Sequence, residues 1–169
     1  MKKLLTFLAL STLLSTSAVA EDAAHSHGLM IADAWSRMTT PTAKVGGGYL
    51  TITNQGHHDD KLLAVASDHA ERAEVHMMMM DDDVMIMRPV SDGLVIPAGE
   101  TVQLAPSGYH LMFMQLNQPH IVGEPFTATL IFERAGEKIV AFDVLSMRDS
   151  MKRAAMSEGD NHGSEGHKH

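Results

Sequence analysis

The chain has 169 residues, with hydrophobic residues at 44% and aromatics at only 5%, enough for one ordinary domain with a real core plus short extras. Its formal charge of -8 argues against nucleic acid as a partner. The absence of cysteine excludes disulfides, thiolate nucleophiles, Cys-based zinc sites and blue-copper electron-transfer centres, while 14 methionines form an excess that an ordinary core does not need.

Residues 1–20 read as a secretory signal peptide. Lys2 and Lys3 form a positive n-region, residues 4–14 an apolar h-region, and Ala18-Val19-Ala20 a small-residue cleavage site. The apolar run is too short for a membrane span, so none is expected after cleavage, and export places the mature protein in the periplasm. With no Cys, no lipid-modified cysteine is available. Residues 21–28 are polar, carry His25 and His27, and read as a flexible arm.

The next residues, 29–146, read as one β-domain. Residues 29–37 predict a first strand with Trp35 as a core anchor. A loop around Pro41 follows, and Gly46-Gly47-Gly48 leads into the β-branched and aromatic strand 49–53. Residues 54–60 are a turn and 61–67 a short strand. Residues 72–80 and 84–90 flank Asp81-Asp82-Asp83 as a hairpin. Short strands at 94–96 and 101–104 precede a strong strand at 109–116. A last hairpin, 125–133 and 138–145, turns at Ala135-Gly136-Glu137. Many short strands without a convincing helix predict an all-β sandwich or barrel.

From 147 to 169 the composition shifts. Met147, Met151, Met156, His162, His167 and His169 stand among Gly, Ser and charged residues, with few other apolar side chains. Such a segment cannot offset its ordering entropy by burial, and it reads as a disordered His/Met-rich tail with one helical turn near its start.

The chemistry concentrates between His76 and Met114. His76 is followed by Met77, Met78, Met79 and Met80, and beyond the three aspartates come Met85 and Met87. Residues two apart in a strand share a face, so His110, Met112 and Met114 point one way while Tyr109, Leu111 and Phe113 point into the core. A two-residue turn at Asp81-Asp82 would pair Met78 with Met85 and His76 with Met87, with Cβ atoms about 4.5–5.5 Å apart. A three-residue turn would bring Met77 opposite Met87 instead. Methionine in an alternating strand ordinarily fills a core. Here two imidazoles and two thioethers fall at strand-compatible positions, a set that suits a soft, low-valent ion, with copper(I) foremost.

These residues carry a resemblance. The chain resembles the PCuAC family of periplasmic copper(I) chaperones, whose signature is His, ten residues, Met, about twenty-one residues, then His-x-Met. Ten residues separate His76 from Met87, and twenty-two separate Met87 from His110-Leu111-Met112. Asp33-Ala34-Trp35-Ser36-Arg37, Gly48-Tyr49-Leu50-Thr51 and Met87-Arg88-Pro89-Val90 resemble the family as well. The resemblance implies a cupredoxin-like Greek-key β-barrel. It implies copper(I) held by His76, Met87, His110 and Met112, and delivery towards cytochrome c oxidase assembly, with oxidase subunit II or another periplasmic copper protein as acceptor. The tail resembles an extension of some members, where copper(II) can bind. The alternative function is a periplasmic copper buffer without a specific acceptor. No Ser-His-Asp arrangement or carboxylate pair falls on telling spacing, so no enzyme is expected.

Overall fold

Side-chain alternation decides which face of each strand is buried, and here it winds a sheet around a hydrocarbon interior. The computed structural model describes residues 28–82 and 84–159. The expected signal peptide, nearly all of the expected arm, and His162, His167 and His169 lie outside the described residues. In chain order the strands are β1 (Leu29–Arg37), β2 (Val45–Asn54), β3 (Asp60–Ala66), β4 (Ala70–Asp81), β5 (Val84–Pro89), β6 (Leu94–Ile96), β7 (Thr101–Leu104), β8 (Tyr109–Leu116), β9 (Phe126–Phe132) and β10 (Gly136–Leu145), followed by helix α1 (Met147–Gly159).

Neighbouring strands run β4-β8-β2-β1-β10-β9-β3, and the β3–β4 pairing closes them into a seven-stranded barrel. β1 and β10 pair in parallel, whereas the other pairings are antiparallel, which is the cupredoxin-like arrangement. β5, β6 and β7 are appended to β4, β3 and β2 respectively. Inside lie Leu50, Ile52, Leu62, Leu111, Phe113, Leu130 and Phe142, each 0–1% exposed. Phe113 packs edge-on against both Phe126 and Phe142. The expected strands are all present, with the ends of several shifted by a few residues.

Trp35 is buried as expected, but on the outside of the barrel. It pairs with Tyr49, whose strand neighbours Gly48 and Leu50 point inward, and the two rings lie 4.4 Å apart. The three glycines are part of β2 and not a lead-in to it. A Cβ at Gly48 would come within 2.7 Å of the Phe113 ring, and one at Gly46 within 2.4 Å of the His120 ring. β2 therefore has room for backbone alone where it crosses the core.

Residues 147–159 depart from the expected tail. They form α1, three turns long, because polar contacts replace the missing apolar face. Ser146 caps the helix by accepting from the Asp149 N–H. Ser150 is fully buried and accepts from Arg37 Nε at 3.2 Å, and Arg153 pairs with Asp33. Asp33 sits at a bulge in β1 with φ 54°, which breaks the pairing with β2 between Ala32 and Trp35.

His120, in the loop between β8 and β9, is a core residue at 1% exposure. Its Nδ1 lies 2.7 Å from Ser36 Oγ, and its ring stacks on Phe126. Burial, with His69 adding to it, pushes its pKa down to about 4 against a backbone contribution from Arg37. A His with a depressed folded pKa takes its proton first in the unfolded chain. The neutral ring's contribution is therefore complete above about 6.5 and is lost as pH falls from there towards about 4.

Two stability predictions follow from this interior. Gly48→Ala should destabilise by about 1–3 kcal/mol, the usual cost of overpacking, as read by chemical denaturation. A thermal-melt series from pH 7.5 to pH 4 should show stability falling by up to about 1.4 kcal/mol per pH unit on account of His120, and His120→Gln should flatten that slope.

Candidate metal centre

The centre is built on the outer face of the sheet, where β4 lies beside β8. Leu111 and Phe113 of β8 point into the core, so His110, Met112 and Met114 point out, as the alternation predicts. The register sets His76 directly opposite His110, Glu74 opposite Met112, and Arg72 opposite Met114. The two imidazole centroids are 6.1 Å apart, and His76 and His110 are 9% and 6% exposed.

Both rings are held with one nitrogen free. His110 Nδ1 lies 3.1 Å from the Gly108 carbonyl, which only accepts, so Nδ1 carries the proton and Nε2 keeps its lone pair. His76 Nε2 lies 3.1 Å from the Glu74 carboxylate and donates to it, while its Nδ1 is buried with no hydrogen-bond partner. A buried nitrogen lone pair without a donor is costly unless another electrophile meets it. Carboxylate and carbonyl partners on the far nitrogen are the outer-shell contacts that orient metal-binding histidines. Burial holds His110 below the ordinary imidazole range, against a raising contribution from the Gly108 carbonyl, and nearby His76 lowers it further. The ring is therefore neutral at pH 7, the state that donates a lone pair.

The thioethers are distributed differently from the expected register. Asp81 pairs with Val84, so the hairpin turn lies one residue further along than the Asp81-Asp82 turn. The rungs move by two residues. Met87 faces Met78, Met85 faces Met80, and His76 faces Pro89. The expected direct opposition of His76 and Met87 is corrected accordingly. Because the shift is even, Met87 keeps the face of His76 and lies one rung away. Met77 faces Arg88 and Tyr109, on the opposite face from His76, and is not brought opposite Met87.

A shallow depression gathers Met78, Met87, His110 and Met112, with Tyr49 and Pro106 at its edge. Gly47, opposite Met112, leaves its floor open, and a Cβ there would meet the Tyr49 hydroxyl at 2.7 Å. Met114 is drawn away, since its sulfur accepts from Arg72 at 3.2 Å. Met147 and Met151 are exposed on α1, and Met156 lines a groove beside Trp35 and Arg153, so none of the three lines this depression. Among the described residues no group of three or more His, Cys, Asp or Glu forms a hard-metal site. The residues that sequence reasoning underrated are Glu74, Met78 and Tyr49. Glu74-x-His76 was visible as a same-face pair, and Met78 needed only the right turn.

These features define a class: a cupredoxin-like barrel presenting an outward His/Met face with donors for a soft metal. The family model described as "Putative lipoprotein LpqE-like" matches residues 29–144, and the chain belongs to that family, the PCuAC family. A curated relative, "Putative lipoprotein Lxx21020" of Leifsonia xyli subsp. xyli (strain CTCB07), is 28% identical over 122 residues, covering 69% of each chain. Among solved structures, apo-DR1885 from Deinococcus radiodurans matches with TM-score 0.56 and 26% identity, over 83% of this chain and 95% of that one. Its CuI form matches with TM-score 0.54 and 26% identity, over 75% and 85%. The copper-bound PCuAC domain from PmoF2 matches in fold, with TM-score 0.59 and 23% identity over 70% of this chain and 92% of that one.

Glu74 is half-exposed and outside the core, so its removal should spare the fold. Glu74→Ala should lower copper affinity about 10–100-fold, the usual effect of removing a partner that orients a metal-binding histidine, in a competition titration.

Proposed function

We propose that this protein is an extracytoplasmic copper(I) carrier that holds the ion through His76, Met87, His110 and Met112, with Met78 beside Met87. The observation that carries the reading is the buried, unpartnered Nδ1 of His76 on a residue directly opposite His110, with the two ring centroids 6.1 Å apart. The soft thioethers around that pair favour copper(I) over harder or divalent ions. Copper as the ion is supported by similar structures, one a copper-bound PCuAC domain and another the CuI form of DR1885. Family names that speak of lipoproteins support a location outside the cytoplasm. No helix among the described residues is long and apolar enough to cross a membrane.

The ligands are all neutral, so the complex keeps the single charge of copper(I). A shallow site at the barrel surface leaves the ion reachable by a partner's ligands. Transfer then proceeds by ligand exchange, with each carrier donor replaced in turn by an acceptor donor. The acceptor we propose is the copper centre of cytochrome c oxidase, through subunit II, during its assembly. This follows the resemblance to the PCuAC family. Capture of copper(II) by the His-rich segment after Gly159 is a further part of the proposal, and its histidines lie outside the described residues. A copper buffer without a specific acceptor would share the site but would not load a purified subunit II domain.

Replacement of His110 or Met112 by Ala should lower copper(I) affinity more than loss of the outer-shell Glu74 does. Competition against a chromogenic copper(I) chelator measures this, with circular dichroism confirming the fold. Unchanged affinity in both variants would remove the site.

A further inference from the structure

The face that carries the His pair continues beyond the barrel. β8 begins at Tyr109, and its pairing with β4 ends at Met77. Residues 78–81 pair instead with β5, as a two-stranded ribbon. On that ribbon Met78 faces Met87, and Met80 faces Met85. Directly opposed Cβ atoms are about 4.5–5.5 Å apart. Successive rungs on one face are about 6.8 Å apart, at about 3.4 Å per residue. Four sulfurs therefore extend the line of His76 outward in two rungs.

Packing does not explain the outer rung. Met80 and Met85 are 58% and 54% exposed, and neither lines the depression around His110. Val84 beside them is 59% exposed. Exposed apolar side chains on an edge ribbon contribute little burial and invite unwanted strand pairing, so polar residues would serve the hairpin better. What methionine adds at such a position is a soft donor without charge or titrable proton.

We propose that Met80 and Met85, with Met78 or Met87 as a shared third ligand, form a second copper(I) site made of thioethers alone, one rung further out than the Met78/Met87 pair. The choice of copper(I) rests on the carrier reading of the His pair. An ion moving from the inner to the outer position exchanges imidazole and thioether donors for thioethers. Its oxidation state is unchanged and no redox partner is required. Without imidazole the outer site binds more weakly, and it stands at the projecting end of the ribbon, where an acceptor's ligands can meet it.

The test uses the mature protein with carbon-13-labelled methionine methyl groups, titrated anaerobically to two equivalents of copper(I) supplied as its acetonitrile complex. The first equivalent should shift the Met112 methyl signal, and the second should shift those of Met80 and Met85. The double variant Met80→Ile and Met85→Ile should lose the second equivalent and bind the first with unchanged affinity. Met80 and Met85 signals that stay still through two equivalents would overturn the outer site while leaving the carrier reading intact. If Met80 and Met85 respond but Met112 never does, the carrier site fails and the ribbon site stands.

Discussion

His76 and His110 face each other across β4 and β8, and the other features of the centre take their places around that pair. A closed barrel solves the edge problem by pairing its strands in a ring, and its interior is filled with hydrocarbon. The donors of this centre stand on the outer face of its strands. Two imidazoles on adjacent outer positions give the centre its two nitrogen donors. Glu74 and the Gly108 carbonyl each accept a hydrogen bond from one ring N–H, which leaves the two lone pairs without other partners.

The surroundings follow from the same geometry. Gly47 is bare opposite Met112, so the backbone of β2 makes a floor without side chains beside the site. Tyr49 lines the depression and is backed by the buried Trp35, whose ring lies tilted against it. Arg72 holds both Glu74, at 3.2 Å, and the Met114 sulfur, which keeps the carboxylate in place and removes a competing thioether. Helix α1 is attached to the barrel by Ser150, Arg37, Asp33 and Arg153, away from the His pair. The methionines of α1 are therefore separate from the centre, although the sequence places them in the same compositional class.

Much of this was legible in the sequence because strand periodicity is a strong signal. The face of His110, Met112 and Met114 came directly from alternation with Leu111 and Phe113. The face of His76 and Met87 survived a wrong turn because the error moved the rungs by two residues, and an even shift preserves the face. The partner within the rung did not survive it, since Met78 and not His76 faces Met87. Turn position depended on three consecutive aspartates with equal claims to the corner. The burial of His120 and the extent of α1 were not legible for another reason. A polar ring folded into the core and a helix held by polar contacts both depend on residues far away in sequence, Ser36 and Asp33 among them. Local patterning carries no trace of such contacts.

The account stands on a mixed donor set at the His pair. X-ray absorption at the copper edge, on mature protein loaded anaerobically with one equivalent of copper(I), reads that set directly. The predicted shell contains both imidazole nitrogen and thioether sulfur, with the multiple-scattering signature of two histidines. A shell of sulfur alone, or of nitrogen and oxygen without sulfur, would contradict it.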